Sequence, residues 1–286
     1  MSTQETLFEL SPEAKEIRGP SAFGGGWRRF LYLTWMIGLT EYRLTYFGSA
    51  LGYLWSLVRP LLLFGVLYVV FSQILEFGDE VANYPVLLLL NIVLFTFFTD
   101  AATRSVTSVV ENEQMVRKMH FPRIVIPLAA VLTATLTLLL NLVAVFIFLL
   151  GYGVGPRPEW LLLPVLLAPL VMVTAGASMI LSSLYVRYRD VAPIWAVLST
   201  ALFYASPVLY PVTSIPDGFE RAALMNPIAD LLTQTRRWIV DPSAPGAFDV
   251  IGGLPWALIP IAVFLAICVL GLVVFDRQAP KIAEQL

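Results

Sequence analysis

The chain has 286 residues, of which 58% are hydrophobic and only 13% charged, with a formal net charge of -2. Soluble domains are about a quarter charged, and the mean hydropathy here is +0.79, so the composition excludes a soluble globule and describes a polytopic membrane protein. A single cysteine, Cys268, and a single histidine, His120, exclude an intrachain disulfide and leave too few ligands for a His/Cys metal site.

Residues 1–26 are polar, end in "GGG" and lack the basic start and apolar middle of a signal peptide, which predicts a retained, flexible tail. Next comes "WRRFLYLTWMIGLTEYRLTYF", Trp27 to Phe47. Its apolar centre is too short to span, and it is rich in aromatics and flanked by arginines. That pattern predicts a helix lying along the membrane interface.

Six segments are apolar enough to cross: Leu51 to Leu75, Pro85 to about Arg104, Ile124 to Leu150, Trp160 to Val186, Val191 to Tyr210 and Leu254 to Phe275. A crossing takes about 20 helical residues. Pro60 to Leu75 is only 16 residues, so the first crossing must begin earlier and carry Arg59 inside it, near one end. Asp100 and Arg104, spaced i,i+4 near the end of the second crossing, read as a self-neutralising intrahelical ion pair rather than a relay.

With both termini on the cytoplasmic side, 14 of the 18 basic residues fall inside. Only Arg157, Arg221, Arg236 and Arg237 fall outside. The positive-inside rule therefore predicts six crossings with both ends cytoplasmic. Between the fifth and sixth crossings, "NPIADLLTQTRRWIV" opens with Asn226 as an N-cap and Pro227 at the first helical position. Ile228, Leu231, Leu232, Thr235, Trp238 and Ile239 then share one stripe, which predicts a short amphipathic helix on the outer surface.

Motifs for catalysis are missing. There is no G-x-x-x-x-G-K-[ST] phosphate loop, no G-x-S-x-G elbow and no H-E-x-x-H. The chain is thus expected to be no enzyme and to bind no ATP or other cofactor itself. The loop "ENEQMVRKMHFPRIVIP" carries a charged helical stretch broken by a proline. Alone it reads as a solvated loop or as a contact surface. "YVRYRDVAP" is a tight basic turn back into the membrane.

Five stretches, in order, resemble the membrane subunit of ABC-2 type transporters, in particular permeases for lipid-linked bacterial polysaccharides such as O-antigen, teichoic acid or galactan. They are "YRLTYFGSALGYLWSLVRPLL", "RKMHFPRIVIP", "YVRYRDVAPI", "FYASPVLYPVTSIP" and "NPIADLLTQTRRWI". The resemblance implies an inner-membrane homodimer of six-helix subunits working with two copies of a separate ATP-binding subunit, which holds the ATP and Mg, and no nucleic acid. It also implies a polyprenyl-linked glycan as substrate.

By that resemblance the transmembrane domain runs over 48–278, between an interfacial gate helix over 27–47 and a cytoplasmic C-terminal tail over 279–286. Coupling to the ATPase falls to Gln114, Arg117, Lys118, Met119, His120, Phe121 and Arg123, with Glu41, Tyr42 and Arg43 at the end of the gate helix. Sugars stack on aromatic faces, so Tyr46, Phe47, Tyr53, Trp55, Phe203, Tyr204 and Tyr210 are candidates to line a glycan channel. Arg59, with Arg43 and Arg29, is a candidate for the lipid pyrophosphate, because a guanidinium forks onto phosphate. Snorkelling to lipid phosphate is the alternative for Arg59. The competing functions are export of a drug or small lipid, an ATP-independent lipid flippase, and a membrane transferase. The last two would need ionisable residues in mid-membrane or clustered on one face.

Overall fold

The computed structural model describes residues 26–46, 52, 54–76, 81–118, 121–216 and 218–285, without the side chains at 281 and 283–285. The predicted tail, and the candidates Phe47, Tyr53, Met119 and His120, lie outside the described residues. Among the described residues there is no strand. Five helices are long and apolar enough to cross a membrane, and a sixth apolar helix is shorter.

The helices, in chain order, are α1 (Trp27–Tyr46), α2 (Leu54–Tyr68, extended by a wider π turn over Val69–Ile74), α3 (Tyr84–Glu111), α4 (Glu113–Lys118) and α5 (Val125–Gly151). They continue with α6 (Leu163–Arg187), α7 (Val191–Ala205), α8 (Phe219–Leu224), α9 (Pro227–Thr235), α10 (Ala247–Ile251) and α11 (Leu254–Gln285). Helix α3 stands at the centre, packed by α2, α5, α6 and α7. Its first three turns, through Phe95, are buried on every side, which explains why its apolar residues show no stripe.

Bundle packing relies on small residues, as expected where lipid is as apolar as leucine. A Cβ on Gly271 of α11 would lie 2.5 Å from the carbonyl oxygen of Gly176 on α6, so the two backbones cross in contact. Helix α1 packs lengthwise on α5: Gly38 meets Leu132 and Ala129, and Thr133 Oγ1 donates to the Gly38 carbonyl at 2.9 Å. Further along, the hydroxyls of Tyr46 and Thr137 are 3.1 Å apart. A helix therefore forms over almost the residues predicted for the interfacial one, and its direction follows the first turns of α5.

The predicted fifth crossing departs most from expectation. Helix α7 stops at Ala205, and Ser206 is extended, with φ -92 and ψ 151. Pro207 is the cause, since the residue before a proline is driven out of the helical region. Fifteen helical residues reach only about 22 Å, short of the roughly 30 Å of hydrocarbon. The chain completes the distance as a mostly buried, non-helical strap, Ser206 to Pro211, ahead of a short 3-10 turn at Val212–Ser214. Irregular backbone survives at such depth only when protein satisfies it. Here α3 does so: Asn91 Nδ2 donates to the carbonyls of Pro207 (3.1 Å) and Val208 (3.4 Å), and Tyr84 OH donates to that of Leu209 (2.8 Å).

Helices α3 and α11 outrun their predicted spans, ending at Glu111 and Gln285 rather than near Arg104 and Phe275. The residues expected to form a C-terminal tail continue α11, with Ala279 and Ile282 buried. Asn226 caps α9 as expected, accepting from the Ile228 amide at 3.0 Å. That helix does not rest on a surface, however. Ile228, Ala229 and Leu232 are buried, and the helix seats against the ends of α3, α6 and α11.

Candidate functional site: a charged cleft beside the central helix

Arg59 lies in the second turn of α2, about 8 Å from its start. Its Nη1 is 3.9 Å from Asp100 Oδ2 on α3. The expected i,i+4 pair between Asp100 and Arg104 does not form. Arg104 instead turns towards α1, where its Nη1 donates to Thr45 Oγ1 at 3.5 Å. Spacing along one helix gave the wrong partner because α2 brings a second cation closer to Asp100.

Two clefts meet at the Arg59–Asp100 pair. The first, of about 150 Å³, lies between the end of α1 and helices α2, α3 and α5; Tyr46, Trp55, Arg59, Asp100, Arg104 and Asn141 line it. Asn141 is 8% exposed, and its Oδ1 has no hydrogen-bond partner among the described residues. The second, of about 490 Å³, opens between α2, α3 and α7. Arg59 and Asp100 line it again, with Thr96, Thr99, Ser199, Thr200, Phe203 and Tyr204. Ser199 and Thr200 donate their hydroxyl protons to the Ala196 carbonyl, and Thr99 donates to its own helix. Their oxygens remain acceptors for an incoming hydroxyl.

The structure thus gathers Tyr46, Trp55, Phe203 and Tyr204 around Arg59. Tyr210 is set apart, its hydroxyl donating to the Tyr204 carbonyl at 2.8 Å. Arg29 and Arg43 do not line either cleft. The cation that joins Arg59 is Arg104, which sequence reading had assigned to a local ion pair. Glu41, one helical turn before Thr45 on α1, is a further neighbour. Burial raises its carboxyl above the usual range, Arg104 and a hydrogen bond with Thr133 oppose that rise, and Glu111 adds to it.

The α3–α5 connection divides in two. Gln114, Arg117 and Lys118 are exposed on α4, with Arg117 paired to Glu113 at 2.9 Å. Phe121 (6% exposed) and Arg123 (4%) are buried. Phe121 packs with Phe30, Val116 and Phe275, and Arg123 Nη1 donates to the Ala279 carbonyl of α11. Burial pushes the Arg123 guanidinium below its ordinary pKa. Tyr42 is half-buried on α1 and stacks edge-on to Tyr46, with ring centroids 5.3 Å apart.

Residues 32–236 match the family model described as ABC-2 type transporter. The chain is 30% identical over 249 residues to the O-antigen export system permease protein RfbA of Klebsiella pneumoniae, covering 86% of this chain and 92% of that protein. It is 25% identical over 209 residues to the O-antigen export system permease protein RfbA of Myxococcus xanthus, covering 72% and 80%. The polysialic acid transport protein KpsM of Escherichia coli is 24% identical over 205 residues, covering 71% and 79%. With matched residues running from α1 to the end of α9 of a helical bundle, the chain belongs to the ABC-2 type transporter family, as a transporter permease.

Proposed function

We propose that this chain is the membrane-spanning half of an ATP-driven exporter that moves a polyprenyl-diphosphate-linked polysaccharide from the cytoplasmic side across the inner membrane. The chemistry at Arg59 carries the reading. Two guanidiniums, Arg59 and Arg104, border a cleft with Trp55, and the adjoining cleft offers hydroxyl oxygens beside Phe203 and Tyr204. The first suits a diphosphate. The second suits the sugar attached to it, which presents hydroxyl donors and an apolar face. The names of the relatives, two O-antigen permeases and a polysialic acid transporter, support a polymer as cargo.

ATP hydrolysis belongs to a separate subunit, two copies of which pair with two copies of this chain. Gln114, Arg117 and Lys118 on α4 form the contact, with Met119 and His120, the next two residues in the sequence, as further candidates for it. Phe121 and Arg123 hold that contact to the bundle from within. The end bearing α1 and the last turns of α11 faces the cytoplasm, an orientation that the positive-inside rule supports because it puts 14 of the 18 basic residues inside.

Export of the lipid-linked polymer, at matched membrane levels of each variant, tests the reading. Cells without the chain should retain the polymer inside, and the parent should restore it to the surface. Arg59→Lys should restore only part, since lysine lacks the planar fork. Arg59→Leu should weaken headgroup affinity about thirtyfold, the equivalent of about 2 kcal/mol for one charge-assisted contact. Normal surface polymer in cells lacking the chain would end the exporter reading. Full export by Arg59→Leu would leave Arg59 as a snorkelling residue only.

A further inference from the structure

We propose that Asp100 is a displaceable counter-ion, occupying Arg59 while the site is empty and driving the headgroup off again afterwards. The inference rests on the headgroup reading of the cleft and adds to it the group that sets release.

The pair's geometry is that of a loose tether. At 3.9 Å the guanidinium and carboxylate attract without a hydrogen bond, and the side chains are 75% and 39% exposed. Exposed pairs of this kind stabilise little, so the contact does not serve to hold α2 on α3. Its position is more telling. Asp100 and Arg59 both line each of the two clefts, so a ligand extending from one to the other must pass this pair. An anion entering meets Arg104, whose one side-chain hydrogen bond among the described residues is a long 3.5 Å contact to Thr45 and which has the Glu41 carboxyl nearby, and then competes with Asp100 for Arg59. A diphosphate carries more charge than a carboxylate and forks onto guanidinium as well, so it wins the competition.

The carboxylate then has a cost that is useful to a transporter. Two guanidiniums with no opposing charge would retain a diphosphate, and cargo that is held is not carried. Asp100, fixed on the central helix beside the bound anion, repels it and keeps a replacement partner ready for Arg59. Asn141, buried at the same cleft with an Oδ1 that has no hydrogen-bond partner among the described residues, adds a neutral polar group to its wall.

The test measures binding and export together, using the permease–ATPase complex in lipid nanodiscs. The probes are farnesyl diphosphate, farnesyl monophosphate, farnesol and inorganic pyrophosphate, applied to the parent, Asp100→Asn and Arg59→Gln. Asparagine keeps the shape of the side chain and removes its charge. We expect Asp100→Asn to bind farnesyl diphosphate about tenfold more tightly than the parent, with a smaller gain for the monophosphate and none for farnesol. Polymer export should fall severalfold at the same time. A similar gain with inorganic pyrophosphate would assign the competition to the phosphates alone; a gain confined to the farnesyl ester would assign it to the seated lipid headgroup, and either supports the counter-ion role. Unchanged or weaker diphosphate binding by Asp100→Asn, with the parent binding and Arg59→Gln not, would overturn the role while leaving the headgroup site intact. Failure of the parent to bind any diphosphate, with normal export by Arg59→Gln, would overturn both.

Discussion

Asp230, in the first turn of α9, keeps its carboxyl largely away from water, and burial pushes its pKa up to about 6 from 3.8. The helix N-terminus favours a carboxylate by only about 0.3–1 kcal/mol, and burial outweighs it. Since the folded pKa lies above the unfolded one, the folded state holds the proton more tightly. The associated stability is complete below about pH 4 and is lost as pH rises through about 6. The purified protein should therefore melt at a lower temperature at pH 7 than at pH 4.5, by an amount equivalent to at most about 3 kcal/mol. Asp230→Asn should narrow that difference, with the Glu41 carboxyl, raised in the same direction, leaving a remainder, and melt above the parent at pH 7; melting below it would show that the carboxylate makes a stabilising contact. Single residues of this kind were poorly legible in the sequence. Asp100 and Arg104 carry a clear i,i+4 signature, yet their partners come from α2 and α1, a tertiary fact that no local spacing encodes. Phe121 and Arg123 lie in a charged loop and read as surface, but α1 and α11 close over them. Arg59 and four of the candidate aromatics do line the adjoining clefts; the arginine stands out in the sequence because a charge inside a crossing is costly.

At the scale of whole helices, hydropathy located the five helices long enough to cross and the shorter α7, and misjudged their ends. Apolar composition marks where lipid begins, whereas a helix ends where its hydrogen bonding does, which is why α3 and α11 run on into their polar ends. The strap after α7 is the reverse case. Its residues are apolar enough for a crossing, but Pro207 forbids the helix, and Asn91 and Tyr84 on α3 make the irregular form affordable. Helix pairing offers a direct test. Where Gly271 meets Gly176 there is no room for a side chain, so Gly271→Leu must push α11 off α6. Overpacking of this kind costs about 1–3 kcal/mol. The variant should yield less monodisperse protein on size exclusion and melt several degrees lower, with Gly271→Ala between it and the parent. A Gly271→Leu variant as stable as the parent would show that the crossing has slack.

Across the whole molecule, α3 connects places that are far apart. Asn91 and Tyr84 near one end hold the strap, Asp100 faces Arg59 in the middle, and Glu111 at the other end leads through Asn112 into α4. The helix is 28 residues long with no glycine, and its one proline is in the first turn. Kinks arise at prolines, glycines and wide turns, and α2, α6 and α11 each contain at least one of these in their interior. Spin labels at Ala82, in the turn before α3, and at Glu111, its last residue, flank a helix about 40 Å long by its rise, and should keep their separation to within about 2 Å between nucleotide-free and ATP-bound complexes carrying one labelled copy. Distances from α3 to α2 should change by more. A shortening along α3 would show a hinge that its sequence gives no reason to expect. Without such a hinge the helix behaves as a push-rod: it stores no deformation, so a displacement delivered at α4 arrives at Asp100 and at the strap together and undiminished. The Asp100–Arg59 contact and the hold on the strap are then geared to one moving part, and neither can be set independently of the other.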